Sequence, residues 1–132
     1  MGNELQGKVT DITPEQAAIT VEQVLEVFSG RWKLLILFHL FDGKVQRFSE
    51  LERLIPGVSQ KMLTQQLRQL EGHGIVHRTV HPEVPPKVEY RLTDLGQSLC
   101  PSLDALVKWS RLRDTTMNPP DARPAGRLSF KS

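Results

Sequence analysis

Between Ser59 and Gly72 the sequence reads SQKMLTQQLRQLEG, and its polar residues are of the kinds that read nucleic acid. Ser59, Gln60, Lys61, Thr64, Gln65, Arg68 and Gln69 are all hydrogen-bonding side chains with no carboxylate among them. Arg presents a paired donor edge that matches guanine in the DNA major groove, and Gln a donor and an acceptor that match adenine. Lys and the hydroxyl side chains suit phosphate oxygens. The competing account is a plain solvated face, although such a face ordinarily mixes Glu with Lys. A motif of this kind is decided by its surroundings.

The stretch must first be a helix with a fixed inside. Ser59 is a good N-cap, since its hydroxyl can accept from a free amide of the first turn, and Gly72 is a natural stop. Leu63, Leu67 and Leu70, spaced four and three, form one stripe to dock on a core, with Met62 at its border. Upstream, Gln46-Arg47-Phe48 is a short extended piece. Ser49 with Glu52 has the form of a capping box opening a brief helix that ends at Ile55-Pro56-Gly57, with Leu51, Leu54 and Ile55 pointing inward. Short helix, tight turn containing Gly, second helix: this is a helix-turn-helix with Ser59–Gly72 in the reading position.

Downstream of Gly72 the period changes from 3.6 to 2. Residues 75–80, IVHRTV, and 87–92, KVEYRL, read as strands, with Val88, Tyr90 and Leu92 on one face. The Pro-rich link HPEVPP between them makes a stiff, extended tip. A hairpin placed directly after a helix-turn-helix is a wing, and Arg78, Lys87 and Arg91 give it positive charge suited to phosphates or the minor groove. An ordinary exposed hairpin is the alternative, and Glu83 and Glu89 weigh toward it. His73, His77 and His81 recur every fourth residue, too far apart along a strand to share one metal ion.

The flanking segments supply the frame. Thr13 with Gln16 and Thr20 with Gln23 are competing starts for a helix that ends near Phe28 to Gly30, its apolar stripe being Val21, Val24, Leu25 and Phe28. That stripe serves either a subunit interface or the chain's own core. RWKLLILFHLF, residues 31–41, is apolar at eight of eleven positions and should be the central buried helix, with His39 at the core edge rather than on a metal. Thr93-Asp94 opens a long helix to about Arg113. Its face of Leu95, Leu99, Leu103, Leu106, Val107 and Trp109 is wider than one small domain buries, so it implies a partner, most simply a second copy. Pro101 should bend it. The resulting division is a flexible arm over 1–12, one domain over 13–113 and a flexible tail over 114–132.

Charge is unevenly spread along the 132 residues. Residues 1–30 hold one Lys against five acidic residues, whereas 31–132 hold 16 basic and 10 acidic residues, so the later part is suited to a polyanion. The chain shows neither the pattern of a secretory leader nor an apolar run of the roughly 20 residues a membrane span needs, which points to a cytoplasmic protein with no membrane partner. A single cysteine, Cys100, excludes an internal disulfide and a multi-cysteine zinc site. No paired acid and base, no nucleophile beside a His and no phosphate-cradling glycine loop is present, so an enzyme is not expected, nor a cofactor or metal.

Taken together, GRWKLLIL, RFSELERLIPGVSQKMLTQQLRQLE, GIVHRTVHPEVPPKVEYRLTDLG and Trp109 closely resemble the HxlR family of bacterial transcription regulators, a winged-helix group related to MarR. The resemblance covers about residues 19–110. It implies an α+β, mostly α fold: a winged helix-turn-helix with a two-stranded hairpin wing, dimerised through its N- and C-terminal helices. The implied interface residues are Val21, Val24, Leu25, Phe28, Leu99, Leu103, Leu106 and Trp109. Several members carry a redox-sensing cysteine in a C-P-V context about thirteen residues before the G-x-W tryptophan. Here that position, counted back from Trp32, is Ile19, and Cys100 reads as a buried structural thiol.

The expected function is therefore a homodimeric regulator that binds an inverted-repeat DNA operator. Gln60, Thr64, Gln65 and Arg68 would discriminate bases, while Lys61, Arg68, Arg78, Lys87 and Arg91 neutralise phosphates. The alternative is a winged-helix protein-interaction module without DNA binding. A regulator of this size could sense a small-molecule effector in a cleft between the dimer helices and the reading helices, but no ligand-specific residue stands out.

Overall fold

The computed structural model describes residues 11–118, so most of the expected arm (1–12) and most of the expected tail (114–132) lie outside the described residues. Five α-helices and three short strands follow in the order α1 (Pro14–Val27), α2 (Lys33–His39), β1 (Gln46–Arg47), α3 (Phe48–Leu54), α4 (Gln60–Gly72), β2 (Val76–His81), β3 (Lys87–Leu92) and α5 (Asp94–Met117), with a single 3-10 turn at Phe41–Gly43 after α2. The strands form one antiparallel sheet in the order β1-β3-β2. This is the winged-helix architecture, with one strand more than the hairpin alone: Gln46 and Arg47 pair with Tyr90 and Glu89.

Local chemistry explains most of the boundaries. Of the two candidate starts for α1, the first is used: the Gln16 amide donates to Thr13 Oγ1 and the Thr13 amide to Gln16 Oε1, both at 3.1 Å. At α3 the capping differs from expectation. Glu50, not Glu52, closes the box by accepting from the Arg47 amide at 2.6 Å, because β1 delivers the chain at Arg47 and the helix starts two residues earlier than Ser49 would set it. Ile55 precedes Pro56 and is held out of the α region, which ends α3. Gly57 then turns the chain at φ +92°, a conformation that L side chains rarely adopt. Ser59 Oγ accepts from the Met62 amide at 3.0 Å and starts α4. Thr93 Oγ1 does the same for α5 with the Gly96 amide at 3.0 Å, and α5 runs through Pro101 to Met117, four residues beyond Arg113.

The core gathers Ile36, Leu37 and Leu40 of the α2 segment, Leu51 and Ile55 from the α3 region, Leu63, Leu67 and Leu70 of α4, and Ile75, Val76, Tyr90 and Leu92 of the hairpin. Two expectations are corrected. The apolar run 31–41 is not buried all round, since Leu34, Leu35 and Phe38 face outward from α2, and Leu54 is exposed rather than inward. A helix buries a stripe, and α3 and α4 pack on only one side of α2 within this chain.

The hairpin base and α5 meet at Gly96. A Cβ there would run into the Ile75 carbonyl oxygen and press on the Leu92 side chain. Gly96→Ala should therefore cost about 1 to 3 kcal/mol, the usual range for overpacking, read as a lower urea midpoint. An unchanged midpoint would mean that α5 is free to lift from the hairpin.

Candidate nucleic-acid interface

Because the leucine row of α4 is buried, the rest of its circumference is fixed. At about 100° per residue, Lys61, Gln65 and Arg68 project most directly away from Leu63, Leu67 and Leu70, and all three are exposed. Gln60, Thr64, Arg68 and Glu71 follow one another along the flank that faces the hairpin. Thr64, Arg68 and Glu71 line a cleft there with Phe48, Arg78, Val88 and Tyr90. Gln60 lines a second cleft, toward the hairpin tip, with Pro85, Pro86 and Lys87. Ser59 is spent on capping, and Gln69 is exposed.

Register divides the basic residues of the wing. Arg78 lies opposite Tyr90 and so shares the face of Val88 and Tyr90, which turns it toward α4 and into the cleft with Arg68. Arg91 lies opposite His77 and Lys87 opposite His81, on the other face of the hairpin. Arg78, Lys87 and Arg91 are thus not one cluster. On that outer face Glu89 takes His81 Nε2 at 2.8 Å and Lys87 Nζ at 3.7 Å. The hydrogen bond from His81, with Lys87 adding to it, holds the Glu89 carboxyl below the usual carboxylate range. His77 and His81 are therefore parts of a charged strand face. Among the described residues there is no group of three or more His, Cys, Asp or Glu placed to hold a metal ion.

Two features escaped the reading of residues one element at a time. Glu71 brings a carboxylate to the end of the Arg68–Arg78 cleft. Gln66, which interrupts the leucine row, is buried, and its Oε1 accepts from the buried Lys33 ammonium at 2.9 Å, tying the first turn of α2 to the middle of α4. The only sign of this in the sequence is a polar residue at a core position of each helix. His39, at the end of α2, is half-buried; burial first and Lys44 second lower its pKa, and its backbone carbonyl accepts from Gln46.

The expected interface residues fall into two sets. Phe28, Leu99 and Leu103 pack on the chain's own core, whereas Val21, Val24, Leu25, Leu106 and Trp109 are exposed, Leu106 at 56% and Trp109 at 58%. No residue of α1 is buried.

The model of the HxlR-like helix-turn-helix family matches this chain over residues 27–116. The chain belongs to that family. It is 56% identical over 91 residues to the HTH-type transcriptional regulator YtcD of Bacillus subtilis strain 168, covering 69% of this chain and 71% of YtcD. Among solved structures, it resembles a MarR-family transcriptional regulator from Enterococcus faecalis V583, with a TM-score of 0.72 and 35% identity over 83% of this chain and 97% of that one. It also resembles the redox regulator HypR in its reduced form, with a TM-score of 0.67 and 44% identity over 74% and 96% of the two chains. This HxlR-family chain is a transcriptional regulator with a helix-turn-helix DNA-binding domain, and its relatives are regulators rather than enzymes. No helix among the described residues is long and apolar enough to cross a membrane.

Ile19, at the position where the resemblance to the family expects a sensing cysteine, is exposed on α1. Cys100 is half-buried against the core, its Sγ 3.8 Å from the Gly96 carbonyl, and burial first and Asp42 second raise its pKa. A thiol kept protonated is a poor nucleophile. At pH 8 Cys100 should react with iodoacetamide more slowly in the folded chain than in urea, followed by mass spectrometry. Equal rates would show that the site opens freely.

Proposed function

We propose that this chain binds an inverted-repeat operator as a homodimer, one α4 in the major groove of each half-site. The observation that carries the reading is the outer face of α4: Lys61, Gln65 and Arg68 stand directly opposite the buried leucines, and none is in a carboxylate ion pair among the described residues. Gln60, Thr64, Gln65 and Arg68 read base edges, with Arg68 placed for a guanine. Lys61, Arg78, Lys87 and Arg91 meet phosphates, Arg78 from within the cleft beside α4, Lys87 from the hairpin tip and Arg91 from the outer face.

The exposed stripe Val21, Val24 and Leu25 on α1 and the exposed Leu106 and Trp109 on α5 support a second copy as the partner that covers them. Twofold pairing then sets the two reading helices roughly 34 Å apart, one turn of DNA. This reading places the protein in the cytoplasm with the chromosome. Redox regulation of the kind HypR's name describes is not part of this reading, because Ile19 stands at the position where the family resemblance places a sensing cysteine and Cys100 is half-buried against the core.

The test is a footprint on the DNA upstream of the chain's own reading frame, with Arg68→Ala beside it. A protected site with two inverted halves is expected, and Arg68→Ala should lose about 1 to 3 kcal/mol of discrimination between that site and random DNA at equal salt. If the variant bound both as the wild type does, α4 would not be the reader.

A further inference from the structure

We infer that Arg31 grips a backbone phosphate of the bound DNA on the flank of α4 away from the wing. The inference rests on the DNA-binding reading above and adds a contact outside both the helix-turn-helix and the hairpin. One side of α4 is buried, and the flank carrying Thr64, Arg68 and Glu71 faces the hairpin. The remaining flank is where α2 begins. Lys33, the first residue of α2, donates to Gln66 of α4, and Gln66 in turn lies 3.7 Å from Met62 Sδ. One residue earlier, the Trp32 ring lies 3.7 Å from where a Cβ on Gly57 would stand, so the indole is seated against the turn two residues before Ser59. Arg31 is exposed, and its Cζ lies 4.6 Å from the centroid of that indole.

A guanidinium stacked on an indole is held by its flat face and keeps its in-plane N–H donors for a second partner, the paired geometry a phosphate accepts. The major groove is about 12 Å wide and a helix with its side chains about 10 to 12 Å across, so the two phosphate ridges run along the two flanks of a helix inserted in it. One ridge meets the cleft lined by Arg68 and Arg78. The other passes the start of α2, where Arg31 is already in place. Among the described residues no carboxylate lies within ion-pair distance of Arg31, and the exposed Arg53 and Lys61 on either side of the Gly57 turn add to the positive potential there.

The experiment is a fluorescence-anisotropy titration of the full chain against the footprinted duplex and a scrambled duplex, repeated over a series of KCl concentrations. Arg31→Gln, Arg31→Lys and Lys108→Gln are compared with the wild type. Lys108, paired with Asp104 at 3.1 Å on α5, controls for loss of one positive charge elsewhere. Arg31→Gln should lower the slope of log affinity against log salt by about 0.9, one phosphate's worth, and weaken both duplexes by the same factor. Arg31→Lys should keep most of the slope, and Lys108→Gln all of it. A wild-type slope in Arg31→Gln, or an equal drop in Lys108→Gln, overturns the assignment while leaving DNA binding intact. A wild-type chain that shows no salt-dependent binding to either duplex overturns the underlying reading, and this one with it, before any variant is compared.

Discussion

Changing Leu106 and Trp109 together to Asp is expected to leave a folded monomer that has lost most of its affinity for a two-half-site operator. Both side chains are more than half exposed in the single chain, and substitutions at such positions are usually within about 0.5 kcal/mol of neutral for folding. In a dimer the same positions would place carboxylates inside an apolar contact, where each must be desolvated without a partner. Losing the dimer removes the second, effectively intramolecular binding event, which in linked systems is worth about 10² to 10⁴ in affinity. Sedimentation velocity should show one chain per particle, and titration against one and two half-sites should show the large loss only with two.

Helix α1 should report on the same event. It has 14 residues, none of them buried, and isolated helices of that length are marginal in water. Its capping box at Thr13 and Gln16 offsets part of that, but apolar packing is what holds most protein helices. The monomeric variant should therefore lose part of its far-ultraviolet helical signal, as α1 frays, while the tertiary signal of Trp32 remains. A Leu106→Asp/Trp109→Asp chain that sediments as a dimer would show that α5 is not the interface.

The second large effect is on stability and is centred on Lys33 and Gln66. The Lys33 residue is only 7% exposed, and its ammonium donates to Gln66 Oε1 at 2.9 Å. Gln66→Leu removes that acceptor and leaves a buried charge without it. Hydrogen bonds to charged groups contribute about 1.5 to 3 kcal/mol, and the loss should fall in that range. Lys33→Met added to Gln66→Leu removes the stranded charge as well and should restore most of the stability, since apolar replacements of similar volume often match buried polar pairs. Urea unfolding of the two single variants and the double variant measures the coupling directly. Strict additivity, with no recovery in the double variant, would mean that the Lys33 ammonium reaches water without Gln66.

That pair also bears on function, because it ties the first turn of α2 to the middle of α4. The single Gln66→Leu variant should lose sequence discrimination along with stability, while the double variant regains stability first. A loosened α4 still carries its positive charge, so its binding to random DNA should be the least affected.

What could be read along the chain were the features governed by residues a few positions apart. The cap at Ser59, the stop at Ile55-Pro56-Gly57, the leucine row of α4 and the alternation of Val88, Tyr90 and Leu92 all follow from spacings of one to four, whereas the choice between the Thr13 and Thr20 starts of α1 was left to the structure. The outer face of α4 was legible for the same reason: once Leu63, Leu67 and Leu70 are taken as inside, the helical repeat assigns Lys61, Gln65 and Arg68 to the outside. Tertiary structure alone decided how elements meet. Strand register split Arg78 from Lys87 and Arg91, because residues that alternate along a strand lie on opposite faces. With β1 paired to β3, α3 starts at Phe48 with Arg47 as its N-cap and Glu50 closing the box. Burial on one side only left Leu34, Leu35 and Phe38 outside, and a polar side chain from each of two helices met in the core as Lys33 and Gln66. These outcomes depend on which residues of separate elements are brought opposite one another, across the hairpin or across more than 30 residues for β1 with β3 and Lys33 with Gln66, or on which side of an element is covered, and neither is encoded in the spacing of neighbours.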